Sequence, residues 1–274
     1  NNLNTMGAYA FFNCSKLNEL SLLGSYTNIP SSIFEECESL TSLTLNQSYE
    51  RIGIRAFKNC ASLTDFNIPS SVTEIKDSAF EGCDAFTSIT LNSKVNKIGK
   101  RVFASCINLT QVVLSDSLLS TGQATFEGCI KLNQIQIPEG ITIIGEQCFE
   151  NCTDLNSIEL PSTIKNIADY SFSNTRISSI NLPDGLETIG TSAFNSGLKN
   201  ASIIVPRSVS EIKMNAFEDC DDLVFTCYTN SYAHEYAHIN GINYELIDDG
   251  QGSPFLVSGG ELISYAGFAK DIVI

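Results

Sequence analysis

Tryptophan is absent from the 274-residue sequence, methionine and histidine occur twice each, and 16 basic residues stand against 31 acidic ones. Each scarcity excludes something. The net charge of −15 repels phosphate backbones and anionic lipid surfaces, so nucleic acid and membranes are poor partners. No apolar run approaches the roughly 18 residues that a membrane-spanning helix needs. The opening NNLNTMGAYA has neither the basic region nor the hydrophobic core of an export signal, which is expected to lie upstream or to have been removed. No C-x-x-C pair occurs, which argues against cysteine-rich zinc clusters. Calcium loops of the D-x-D-x-D-G type, phosphate-binding glycine loops and G-x-S-x-G elbows are missing too. Apolar residues, by contrast, make up 43% of the chain, enough for a large packed core.

What the chain has in abundance is a period. Phe11, Phe34, Phe57, Phe80, Phe103, Phe126, Phe149, Phe172, Phe194 and Phe217 follow one another at spacings of 23, with one step of 22 between Phe172 and Phe194. Three residues after the Phe comes a Cys in eight of the units, replaced by Thr175 and Gly197 in two. Five residues before it lies an aliphatic row, from Met6 through Ile29, Ile52, Ile75 and Ile98 to Ile212, with Thr121 as a lapse. Nine and eleven residues after it come two further apolar rows, and that alternation is the period of a strand. LTDFNIP, LNQIQIP and LNSIELP thus read as short strands ended by a proline that donates no ladder hydrogen bond. A single unit buries too little to fold alone. Stacked units share their cores, pair their strands in parallel and pile like side chains on like.

The unit L-x-x-I-x-[IL]-P-x-x-[IV]-x-x-I-G-x-x-A-F-x-x-C, seen as LTDFNIPSSVTEIKDSAFEGC, resembles the leucine-rich repeat of the bacterial surface-antigen (BspA-type) family. The resemblance covers residues 1–228. It implies an α/β fold class: a right-handed, β-rich leucine-rich repeat solenoid of about ten 23-residue repeats, with a parallel sheet on its concave face. It also implies an extracellular or cell-surface location and a protein partner, such as a host or matrix protein. Residues 229–248 leave the period and look like a closing helix and strand. Residues 249–274 combine a linker, DDGQGSP, with GGELISYAGFAKDIVI, which resembles the opening of a further array. At the other end Leu3 and Met6 already occupy repeat rows, so earlier coils or a cap are expected upstream.

Two features invite a chemical reading. His234, Glu235 and His238 spell H-E-x-x-H, which on a helix puts two zinc ligands on one face with a general base beside them, and Gly241 falls where the longer signature places glycine. Tyr244, however, stands where the third His belongs, leaving only a carboxylate such as Glu261 to complete a site. At about 100° per residue the apolar stripe of Tyr232, Ala233, Tyr236, Ala237 and Ile239 centres near 60°, and the histidines fall near 200° and 240°, facing water. The reading is therefore a capping helix started by Asn230 or Ser231 and stopped by Gly241, with no metal or other cofactor and no catalytic residue; a zinc metallopeptidase is the alternative. The ten cysteines lie almost entirely on one row, so they are read as free buried thiols filling a narrow slot. Cys148 with Cys152, or Cys220 with Cys227, are the pairs closest to a disulfide.

A partner would meet the strand residues that face outward, eight and ten after each Phe. Candidate ligand-binding positions on the concave face are Asp65, Asn67, Ser88, Thr90, Gln111, Gln134, Gln136, Ser157 and Glu159. Along the whole face the charged positions are Glu19, Asp65 and Glu159, all acidic, and no aromatic ring is offered for stacking on sugars. Hydroxyls and amides suit distributed hydrogen bonding. The expectation is a monomeric, non-enzymatic recognition module for adhesion or protein binding, with a stalk displaying another domain as a second alternative.

Overall fold

The computed structural model describes residues 5–249 except Ser25 and Asp65, together with the backbone of strands Phe255–Ser258 and Glu261–Tyr265. Each coil has three sides. The front side is a parallel ladder that includes Glu19–Leu22, Ser42–Leu45, Ser88–Thr90, Gln111–Val113, Gln134–Gln136, Ser157–Ile158, Ser179–Ile180, Ser202–Val205 and Val224–Tyr228. Its register steps one coil at a time, so Ser88 lies opposite Gln111 and Gln111 opposite Gln134. Inward side chains of these strands are largely buried and outward ones largely exposed, which is the alternation that marked them in the sequence.

Among the described residues the third coil contributes no strand to the ladder. In the third coil the inward row is filled by Phe66, as it is by Phe225 in the last, and the Phe66 ring lies between Phe57 and Phe80 at 4.8 and 5.1 Å. Residues 66–69 run outside any strand, and among the described residues the front sheet is interrupted between Ser42–Leu45 and Ser88–Thr90.

The second side is a sheet that sequence periodicity alone had marked only as a core row. Two-residue strands Asn28–Ile29, Arg51–Ile52, Glu74–Ile75 and Lys97–Ile98 pair in parallel, and so do Ile143–Ile144, Asn166–Ile167, Thr188–Ile189 and Glu211–Ile212. Between these blocks lies Thr121, the one polar residue of the row. It is buried, and its hydroxyl accepts from the Gly145 N–H at 2.8 Å while its carbonyl accepts from Thr125 Oγ1 at 2.7 Å. The buried hydroxyl is thus satisfied locally, and a lone Ser120–Ile143 bridge ties this coil to the second block. On the outer face Glu74 bridges Arg51 at 3.4 Å and Lys97 at 2.7 Å across three strands. The hydrogen bond from Lys97 is the main cause that lowers the Glu74 pKa.

The third side is the phenylalanine turn. Here the residues two before and two after each Phe adopt left-handed backbone, for example Ser32 and Glu36 (φ 51° and 65°) or Arg101 and Ser105 (φ 55° and 59°). A non-glycine residue pays about 1–2 kcal/mol for that region. The alternation turns every second N–H toward the next coil, as in Ser32 to Ile54 O at 2.8 Å, Phe34 to Ala56 O at 2.9 Å and Glu36 to Lys58 O at 2.9 Å. Inside, the rings stack with centroids 5.2 to 5.8 Å apart and planes within 13°.

The cysteine row also has a polar task. Cys37, Cys60, Cys83, Cys106, Cys129, Cys152 and Cys220 each donate Sγ–H to the carbonyl of the Phe one coil back, at 3.0 to 3.2 Å. In the 22-residue coil Gly197 has no thiol to offer Phe172, and Thr175 takes over: its hydroxyl lies 2.9 Å from Phe172 O and 3.0 Å from Gly197 O. All ten cysteines are free.

Candidate functional site

The outward residues of the front sheet separate into two groups. Asp65 lies outside the described residues. Asn67 is exposed on the interrupted segment, and Ser88 and Thr90 are exposed on their strand. Gln111, Gln134, Gln136, Ser157 and Glu159 come together, lining an open groove of about 840 Å³ across three coils. The amides of Gln111 and Gln134 sit on directly opposed residues, and Gln136 meets Glu159 through a single bridge. At that bridge the sheet is otherwise broken between Gln134–Gln136 and Ser157–Ile158, and Ile135 is only half-buried, giving the groove a partly apolar floor with Val113.

The groove also takes in residues that strand register did not single out. Asp116, Pro138, Glu139 and Pro161 come from the turns that follow the strands. For Pro138 and Pro161 the signal was present, since each proline ends an apolar alternation and fixes where the chain leaves the sheet. With Glu159, Asp116 and Glu139 put three carboxylates around the groove, and among the described residues no Lys or Arg lines it. Arg176 stands at the other end of the strand face, in a smaller depression with Asn133, Asp154 and Asn156.

The H-E-x-x-H segment forms the helix Tyr232–Asn240. Ser231 caps it by accepting from the His234 N–H at 3.2 Å, and Gly241 stops it in left-handed backbone (φ 69°) with its N–H bonded to Ala237 O. Ala233 and Ala237 are buried, and Tyr236 packs edge-on against Phe217, so the apolar stripe docks as its pattern requires. The histidines depart from expectation in part. His238 is exposed, but His234 is half-buried rather than open to water. The strand Asn243–Ile247 folds back beside the helix, and Tyr244 packs its ring edge-on against His234 at 4.9 Å. Burial, with a smaller contribution from His238, lowers the His234 pKa. His234 Nδ1 accepts from the Asn230 N–H at 3.2 Å, and His238 Nδ1 lies 3.4 Å from Tyr244 Oη. Among the described residues no three His, Cys, Asp or Glu side chains are grouped to hold a metal ion; the side chain of Glu261 lies outside them.

A coiled chain with two parallel ladders, one stacked aromatic column and a polar outer strand face is a leucine-rich solenoid. The profile of the BspA type leucine rich repeat region, in six copies, matches residues 1–110 and 96–224, and the chain belongs to that family. Repeats of this kind point to protein–protein interaction. No curated protein matches the chain. Among solved structures, a leucine-rich repeat protein from Bacteroides ovatus is 27% identical with a TM-score of 0.68, over 89% of this chain and 78% of that one. A leucine rich cell surface protein from Faecalibacterium prausnitzii is 23% identical with a TM-score of 0.55, over 90% and 83%. A leucine-rich repeat protein from Eubacterium ventriosum is 19% identical with a TM-score of 0.52, over 80% and 68%. The last two likenesses concern fold alone. Among the described residues no helix is long and apolar enough to cross a membrane.

Proposed function

We propose that the chain is a non-catalytic recognition module of a secreted or surface-displayed protein, which adheres to an extracellular protein through the groove of its front sheet. The observation that carries this reading is the convergence of five outward strand residues, Gln111, Gln134, Gln136, Ser157 and Glu159, on one depression. Their amides and hydroxyl offer donors and acceptors to a polypeptide backbone. The carboxylates of Asp116, Glu139 and Glu159 favour a segment bearing lysine or arginine, whose approach the net charge of −15 accelerates. The family supports the extracellular assignment and the protein partner.

The test is binding of the purified chain to immobilised extracellular-matrix proteins at two ionic strengths. The triple variant Gln111→Lys, Gln134→Lys, Ser157→Lys is expected to weaken binding by roughly tenfold or more, and higher salt to weaken it further. The reading fails if that variant binds as the parent does while rear-face substitutions such as Arg51→Glu abolish adhesion.

A further inference from the structure

At the entry to the front strands, successive coils are held together by a repeated contact. Two consecutive N–H groups converge on one carbonyl of the coil behind: Thr110 and Gln111 on Thr87 O at 2.9 and 3.3 Å, Asn133 and Gln134 on Thr110 O at 3.2 and 3.1 Å. Hydroxyls of the same row reinforce it, with Thr41, Thr64 and Thr110 donating to the coil behind at 3.0, 3.4 and 2.9 Å. One coil departs from this pattern. Among the described residues neither the Asn156 nor the Ser157 N–H bonds to Asn133 O, and the row holds Asn133 and Asn156 in place of threonine. The gap is bounded on both sides, by Asp154 N–H on Ile130 O at 3.0 Å and by the Gln136–Glu159 bridge.

The gap opens into the depression of about 540 Å³ that Arg176 shares with Asn133, Gln134, Thr153, Asp154 and Asn156, and Asn133 and Gln134 also line the front groove. Arg176 and Asp154 are exposed, and among the described residues neither side chain forms a salt bridge or a hydrogen bond. Opposite charges thus face one cavity without pairing. A carboxylate entering it meets the like charge of Asp154, and an ammonium meets that of Arg176. A carboxamide suits both, because its oxygen accepts from a guanidinium and its amino group donates to a carboxylate. Asn133 stands just before the strand Gln134–Gln136 and Glu139 three residues after it. At about 3.3 Å per residue, the depression and the acidic rim of Asp116, Glu139 and Glu159 are therefore within about 20 Å of each other.

We infer that this depression seats an asparagine or glutamine side chain of the polypeptide that occupies the front groove. The carboxamide lies between Arg176 and Asp154, and a lysine or arginine of the same segment, about six residues away or fewer, lies over the acidic rim. The freed Asn133 carbonyl and the Asn156 and Ser157 N–H groups match a peptide unit beside it. The inference rests on the reading of the front groove as a protein-binding surface, to which it adds a position that selects sequence.

A phage-displayed library of random dodecapeptides, selected on the purified chain, tests it. Enriched peptides are expected to carry Asn or Gln at one position and Lys or Arg within about six residues of it. In a synthetic copy, replacing that carboxamide residue by Ala or Glu should weaken binding by roughly tenfold, read by fluorescence anisotropy. Removing one charge of the pair should then exchange the preference. Asp154→Asn should favour the Glu peptide over its parent, and Arg176→Gln should favour a Lys peptide. A purely structural role would weaken all peptides alike, and a switch in either variant suffices, so the outcome does not depend on one variant folding. If the enriched peptides share no carboxamide position, or both variants keep the original order of preference, the seat is overturned while the groove reading stands. If no peptide is enriched, or the selected ones bind the Gln111→Lys, Gln134→Lys, Ser157→Lys variant as they bind the parent, the groove reading fails and this inference with it.

Discussion

Raising the pH should unfold this protein abruptly, and the cysteine column sets where. Burial lifts the thiols of Cys106 and Cys148 from the ordinary 9.0 to about 12, and those of Cys60, Cys83, Cys129 and Cys152 well above the ordinary value. All six are fully buried. The folded state thus holds each proton more tightly than the unfolded chain does. The resulting stability is complete below pH 9 and is lost as the pH climbs from there toward 12. Each thiol forfeits about 1.4 kcal/mol per pH unit in that window, and six together about 8 kcal/mol per unit. Against a net stability of about 5–15 kcal/mol, unfolding is expected near pH 10 to 11. Burial raises Tyr49 to about 12, which acts in the same direction. Far-ultraviolet circular dichroism and thiolate absorbance, recorded on one pH titration, should change together in a single steep step. If thiolate absorbance rises gradually around pH 9 while the dichroism stays native, the thiols are not held as described and the reasoning is refuted.

Three further outcomes follow from packing. Phe103→Ala removes a ring stacked between Phe80 at 5.5 Å and Phe126 at 5.8 Å, and urea unfolding should show a loss of about 3–5 kcal/mol; Phe11→Ala, at the half-buried first position, should cost less than half as much. Thr175→Val leaves the Phe172 and Gly197 carbonyls without the hydroxyl that serves both, an expected loss of about 1–3 kcal/mol by the same measurement. Gly53→Ala would set a Cβ 2.6 Å from Ser31 N and 2.7 Å from Ile29 O, both backbone, and should destabilise by about 1–3 kcal/mol, whereas Gly7→Ala, with nothing within 4 Å, should leave the melting temperature unchanged.

The aromatic column, the core rows and the capping helix were legible because each rests on a repeat or on a helical face that local spacing reports. The rear sheet was not, since a strand of two residues is too short to show alternation. Of the left-handed rows, the one after the Phe leaves a trace in Asn59, Gly82, Gly128 and Asn151, while the one before it holds Arg55, Ala124 and Tyr170, residues with no preference for that backbone. The helical wheel placed His234 in water because it knew only the helix; the strand returning with Tyr244 is a tertiary contact. At the groove, register identified the strand residues, and Asp116 and Glu139 escaped because turns carry no period.

The thiol-to-carbonyl bonds and the left-handed turns repeat identically from coil to coil, so most coils make no contact that a neighbour of the same type could not replace. Where no coil-specific contact such as that of Thr121 with Gly145 is split, duplicating a whole 23-residue unit would shift the reach of the molecule by one strand spacing, about 4.8 Å. The coil between Phe172 and Phe194 is a further exception, because the Thr175 hydroxyl takes the place of the thiol that Gly197 lacks, and an array cut or spliced there would have to carry both.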